Sequence, residues 1–216
     1  MTQERGFGPA RIRHALALIA LAGVWLAMLL SGRGALDRSL AEAIYAGGRP
    51  ALIAAARFFT NIGEPTVVLV LGFLVAGWLW VKGRARFGLG LLLIVLVGRG
   101  LTEVQKYWVA RARPEVEPHL VVVKTSSFPS GHAANSMILG LALALALTRP
   151  GTVRRIAVGV AILLSLLIGT SRVMLGVHWP SDVIGGWAFG MLWVLLTLRR
   201  AERLFGPDSG TGLEQL

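Results

Sequence analysis

The sequence predicts an all-α membrane protein, a bundle of six transmembrane helices with short interfacial helices in its first outer loop. Three observations lead there. Of the 216 residues 55% are hydrophobic and the mean hydropathy is +0.67, well beyond the balance of a soluble domain. The apolar residues fall in six runs: Ala15 to Leu30, Thr66 to Val81, Phe87 to Leu101, Ala133 to Thr148, Ile156 to Thr170 and Val183 to Leu198. Between these runs, cations cluster in alternate connections.

Taken in order, the first run follows Arg5, Arg11 and Arg13 and is read as an uncleaved anchor. A cleaved signal peptide is the alternative, but Ser31-Gly32-Arg33-Gly34 makes a poor small-x-small cleavage site. Leu36, Leu40 and Ile44, then Leu52, Ala55, Ala56 and Phe59, repeat at helical spacing and predict short helices lying along the interface. The six runs are 15 or 16 residues long, short of the roughly 20 needed to cross a hydrocarbon core. Their flanks must therefore contribute, with Arg13, Lys82, Arg155 and Arg199 burying their stems and lifting their charges to the boundary. A soluble bundle is the alternative and fits poorly, because six nearly charge-free segments leave too little amphipathic surface to face water.

Lys and Arg prefer the cytoplasmic side in short loops. Lys82, Arg84 and Arg86 join the second run to the third, Arg149, Arg154 and Arg155 join the fourth to the fifth, and Arg199, Arg200 and Arg203 follow the sixth. Both termini are thus expected in the cytoplasm. Ser31 to Pro65, Lys106 to His132 and the turn around His178 are expected on the outer side, although Arg33, Arg38, Arg49 and Arg57 run against the rule. Residues 1–205 read as one membrane domain and 206–216 as a flexible tail. The net charge of +11 is not a nucleic-acid footprint, since the cations sit between apolar runs instead of on one polar face. With no cysteine, disulfides and thiolate metal sites are impossible.

The reactive polar residues concentrate in the outer segments. Lys106, Arg113 and Arg172 would sit near the membrane boundary, where an unpaired charge is costly, and a phosphate satisfies all three. For Arg111 and Lys124, snorkelling toward lipid headgroups is the preferred reading, with a second phosphate as the alternative. Pro129-Ser130-Gly131-His132 opens the fourth helix: its free amides suit an anion, Ser130 can donate its hydroxyl, Gly131 permits close approach and His132 can pass a proton. The same four residues also fit a plain helix cap. His178 and Asp182 are four apart around Pro180, so the carboxylate can fix the imidazole and leave its other nitrogen free to attack; a capping Asp beside a structural His is the alternative. A metal fits poorly, since beyond these residues only His119 and scattered Glu are on hand and the cations repel it. Arg99, Glu103 and Lys106 share a helical stripe, which predicts an Arg99–Glu103 pair steadying Lys106.

These residues resemble the type 2 phosphatidic acid phosphatase superfamily, whose signature is K-x6-R-P, P-S-G-H and S-R-x5-H-x3-D. It stands here as Lys106…Arg113-Pro114, Pro129 to His132, and Ser171-Arg172…His178…Asp182, with all eleven specified positions in order. Phe59-Thr60-Asn61-Ile62-Gly63 also looks like a family feature. The resemblance implies a bacterial inner-membrane lipid phosphatase that uses no cofactor or metal. His178 would be the nucleophile, Asp182 its orienting carboxylate, and His132 the acid and then the base. Lys106, Arg113, Ser130, Gly131 and Arg172 would hold the phosphoryl oxygens. Expected substrates are undecaprenyl pyrophosphate, phosphatidylglycerol phosphate or phosphatidic acid; transfer of phosphate to a lipid such as lipid A is the alternative, and an inactive scaffold or transporter a remoter one.

Overall fold

The described residues form eight helices where the apolar runs and the two amphipathic stretches predict them: α1 (Pro9–Ser31), α2 (Ala35–Ile44), α3 (Pro50–Ile62), α4 (Pro65–Val81), α5 (Ala85–Val109), α6 (Gly131–Leu147), α7 (Thr152–Met174) and α8 (Pro180–Phe205). The computed structural model describes residues 9–115 and 117–205, except for the side chains of residues 9, 10 and 199–205. Arg5 and the predicted tail over 206–216 lie outside the described residues, as do the side chains of Arg199, Arg200 and Arg203. No strand occurs among the described residues.

Proline at the first helical position starts α3, α4 and α8, where its missing N–H would have no partner anyway. Most helices outrun their apolar core as the flanking cations predict. The largest extension is in α5, which carries eight residues past Leu101 and takes Lys106 into its last turn. It stops at Ala110, which adopts a left-handed conformation with φ 46°.

Among the described residues four helices can cross a membrane by length and composition: α1, α5, α7 and α8. The expectation was six separate spans; the described residues hold four such helices, or five if the bent α3–α4 pair is one span. Among the described residues, α6 is apolar but only 17 residues long, and α4 qualifies only together with α3, across a bend of 41°. That bend also changes the reading of the first outer loop, because α3 runs on into α4 instead of standing alone. In α2 the stripe of Leu36, Leu40 and Ile44 stays exposed, while Asp37 and Ala41 are buried on the other side.

The interior is built around α6, which packs against α5, α7 and α8 and buries Ala133, Ala134, Met137, Ile138 and Ala142 almost completely. Small residues let the helices close. A Cβ added at Gly186 of α8 would meet the Ser130 carbonyl oxygen at 2.8 Å, and one at Gly190 would meet the Ala134 carbonyl oxygen at 2.9 Å, so this face of α8 lies directly on the α6 backbone. α1 lies against α8 at the periphery.

The two ends of the bundle differ in chemistry. One collects the α4–α5 and α6–α7 turns with Lys82, Arg84, Arg86, Arg149, Arg154 and Arg155. The other collects the C-terminal ends of α5 and α7 and the N-terminal ends of α6 and α8. There the 110–130 segment folds back on itself, the Ser127 N–H donating to the Arg111 carbonyl at 2.8 Å, and is tied down through Tyr45 Oη to the Pro118 carbonyl and the Leu120 N–H to the Leu175 carbonyl.

Candidate active site

At that second end a cavity of about 420 Å³ opens among α3, α4, α5, α6, α7 and the 121–125 segment. Six of the eight site residues expected from the sequence line it: Lys106, Arg113, Gly131, His132, Arg172 and His178. The other two stand behind the wall. The Ser130 N–H donates to the Asp182 carbonyl at 2.9 Å, and the Asp182 carboxylate lies against the far side of the His178 ring.

His178 occupies the turn between α7 and α8 and is 2% exposed. Its Nδ1 lies 3.4 Å from Asp182 Oδ2 and 3.4 Å from Ser127 Oγ, while its Nε2 faces Arg113 Nη1 at 3.2 Å on the cavity side. The ring is therefore gripped on one nitrogen and presents the other. Burial pushes its pKa well below the usual value near 6.5, and Arg113, Arg172 and Lys106 push it further, so the imidazole is neutral. Burial likewise lowers Arg113, with Asp182 opposing.

Asp182 is fully buried and held at both oxygens. Oδ2 accepts from the Ser127 hydroxyl and from the Trp179 N–H at 2.9 Å; Oδ1 accepts from Arg111 Nη1 at 2.8 Å. This overturns the snorkelling assignment of Arg111. Its guanidinium is buried, also donates to Ser181 Oγ and to the Met28 and Leu29 carbonyls in the last turn of α1, and stacks 4.3 Å from the Phe128 ring centre. It is equally unavailable to a second phosphate, because a carboxylate already takes its charge. Lys124 keeps its exposure and lines the cavity rim.

The three remaining cations are set by short polar tethers. Lys106 Nζ donates to Thr125 Oγ1 at 3.2 Å, Arg113 Nε to the Thr125 carbonyl at 2.8 Å, and Arg172 Nη1 to Thr60 Oγ1 at 2.6 Å. Several buried groups have no hydrogen-bond partner among the described residues: Arg172 Nε, Ser130 Oγ and His132 Nε2. Glu64 Oε2, from the break between α3 and α4, lies 3.5 Å from His132 Nε2. Fixed cations, unspent donors and a gripped imidazole are the equipment for binding an oxyanion and attacking its central atom.

Other residues were not anticipated. Thr60 falls in the Phe59–Gly63 stretch, to which the sequence assigns no role. Ser127 and Thr125 carry no signal in a chain rich in Ser and Thr around them. Asp37 accepts from the Ser181 N–H at 2.8 Å and from the Ser181 hydroxyl, fastening α2 to the start of α8; its only mark was a carboxylate on an amphipathic helix. The expected Arg99–Glu103 pair does not form: no ion pair joins them, and Arg99 Nη1 is buried without a partner.

Comparison with known proteins identifies a family. The family model described as the PAP2 superfamily matches residues 87–205, the stretch that carries every signature residue. Phosphatidylglycerophosphatase B of Bacillus subtilis is 30% identical over 172 residues, covering 78% of this chain and 84% of that protein. An undecaprenyl-diphosphatase of Sulfolobus acidocaldarius is 38% identical over 114 residues, covering 50% of this chain and 52% of its own length. The crystal structure of a transmembrane PAP2-type phosphatidylglycerolphosphate phosphatase from Bacillus subtilis superposes with a TM-score of 0.78 at 27% identity, covering 87% of this chain and 97% of that one. The fold, the site and these relatives together make the chain a membrane protein of the PAP2 superfamily.

Proposed function

We propose that the chain is a metal-independent lipid phosphatase of the bacterial cytoplasmic membrane, acting through a phosphohistidine at His178 on the outer side. The observation that carries this reading is the facing of His178 Nε2 by Arg113 at 3.2 Å, with Arg172 and Lys106 around the same cavity and Asp182 behind the ring. In the first step the Nε2 lone pair forms a bond to phosphorus while the bond from phosphorus to the leaving oxygen breaks, and His132 gives that oxygen its proton. In the second, water attacks phosphorus, the N–P bond breaks, and the water proton passes to His132, which regains its acid form as phosphate leaves. Lys106, Arg113 and Arg172 balance the equatorial oxygens throughout, with Ser130 and the Gly131 amide at the start of α6 adding donors. Arg113 exchanges its contact with Nε2 for one with the phosphoryl oxygens as substrate enters.

On this reading α1, α4, α5, α6, α7 and α8 are six crossings, the short α6 being shielded by its neighbours and α2 lying at the boundary. Both termini are cytoplasmic, following the cations at the α4–α5 and α6–α7 turns. Exposed aromatic residues support this frame: Trp78 and Trp80 lie near one end and Tyr107 and Trp108 near the other. From the α4–α5 turn to Tyr107 is about 22 residues of α5, roughly 33 Å, close to a hydrocarbon thickness. Metal independence rests on the donor set, since among the described residues no three His, Asp or Glu side chains gather around one point and cations crowd the cavity.

The deciding experiment is phosphate release by purified protein from phosphatidylglycerol phosphate, undecaprenyl pyrophosphate and phosphatidic acid, with a chelator and with His178→Ala. Turnover that ignores the chelator and vanishes with His178→Ala is expected. Chelator-sensitive turnover, turnover surviving that substitution, or label found on a second lipid instead of in free phosphate would each defeat the reading.

A further inference from the structure

We propose that Arg99 forms a second anion subsite, which takes a phosphodiester borne by the leaving group of the substrate. The favoured lipids would then carry a terminal phosphomonoester separated from that second phosphate by a short polyol. This deepens the lipid-phosphatase reading and rests on it.

Arg99 lies within the membrane-spanning α5, where a guanidinium is costly without an anion. It has none among the described residues. Its Nη1 is buried, no hydrogen bond or ion pair reaches the side chain among the described residues, and Glu103 one turn away is exposed and out of ion-pair range. Yet Arg99 lines the same cavity as His132, Arg172 and His178.

Its position assigns the anion to a particular part of the substrate. Seven residues separate Arg99 from Lys106, two helical turns on one face, which sets it about 10 Å further along α5 toward the middle of the span. The reacting phosphoryl is already met by Lys106, Arg113 and Arg172, each held by a hydroxyl or carbonyl of the site, whereas Arg99 is untethered. Toward the middle of the span lies the part of the lipid between its reacting phosphate and its apolar tail. A phosphatidate offers only uncharged ester oxygens there. A directly linked diphosphate places its second charge close to the first, against the three tethered cations. Two phosphates joined through a glycerol or a pentose match the two-turn spacing better.

The test compares wild-type protein and Arg99→Gln, reconstituted in phospholipid nanodiscs, on phosphatidylglycerol phosphate and on phosphatidic acid with the same acyl chains. Arg99→Gln should lower the ratio of kcat/KM for the first lipid over the second by about tenfold or more, mainly through KM, as expected for one lost charge-assisted contact. Arg99→Lys, which keeps the charge, should restore part of that ratio. An unchanged ratio, or equal loss on both lipids, would overturn the subsite. Should Arg99→Gln fail to fold, wild-type inhibition decides: glycerol 1,3-bisphosphate should compete about tenfold better than glycerol 3-phosphate, and equal competition counts against the proposal. Failure here is distinct from failure of the parent reading, in which the wild type would release no phosphate from any lipid.

Discussion

Replacing Arg111 by Gln tests the part of the site that the sequence misassigned. Arg111 forms an ion pair at 2.8 Å with a carboxylate whose side chain is 0% exposed, its own side chain being 5% exposed, so removing the charge strands a buried anion. Two carbonyls at the end of α1, accepting at 3.0 and 2.7 Å, lose their donor as well. Breaking one side of a buried pair costs about 3–5 kcal/mol, and the lost bonds are counted within that figure because they fail together. For a chain of this size the midpoint of thermal unfolding should fall by roughly 6–20 °C. Turnover should drop about 10- to 100-fold, the scale found when the group behind a histidine ligand is removed, with KM little changed because Arg111 does not line the cavity. Thermal melting in detergent and phosphate release measure the two effects. The double variant Arg111→Gln/Asp182→Asn should regain stability relative to Arg111→Gln while remaining slow. A stability loss below about 1 kcal/mol with normal kcat would refute the reasoning, since that is the behaviour of an exposed pair.

Ser127→Ala removes a donor to Asp182 Oδ2 and a neighbour of His178 Nδ1, and should lower kcat by about tenfold without raising KM; an unchanged kcat would remove Ser127 from the positioning of the ring. His178 is held neutral in the folded protein, whereas in the unfolded chain it takes up a proton as pH falls below about 6.5. The unfolded state then binds more protons at this position, so stability declines below that pH by up to about 1.4 kcal/mol per unit and is insensitive to His178 above it. His178→Gln should flatten the acid limb of a melting-against-pH curve by one proton, and parallel limbs would contradict this. Gly186→Ala forces a methyl against the Ser130 carbonyl at 2.8 Å, where only backbone can yield; a loss of about 1–3 kcal/mol is expected in thermal melting, and wild-type stability would show that α8 does not press on the start of α6.

The helices were legible because lipid enforces long uninterrupted apolar runs, and their ends were not, because charged residues that rise to a boundary extend a helix past its apolar part. Lys106 shows this: counting apolar residues stops at Leu101, while α5 continues to Val109 and makes Lys106 a helix residue. The short α6 and the bent α3–α4 pair depend on which neighbours shield them, and a single run of residues carries no record of its neighbours. In the site, His178, Asp182, His132 and the three cations stood out because reactive side chains are rare in so apolar a chain. Arg111 was misread for the same reason, since local context cannot tell a cation beside water from one whose partner is 71 positions away. Arg99 failed in the opposite sense: its stripe with Glu103 pointed to a pair, but direction from the helix, not spacing alone, decides whether two side chains meet.

The hold of Arg111 on α1 has a consequence for synthesis. α1 precedes the other described helices, yet the donor for its last carbonyls arrives 83 residues after Met28, and its packing partner α8 follows all the other described helices. The growing chain must therefore carry α1 in the bilayer as a loosely docked passenger until α8 has been made. Truncations that remove α8 should leave an inserted polypeptide whose α1 wanders, a substrate for membrane quality control, even though the helices between the two are already made.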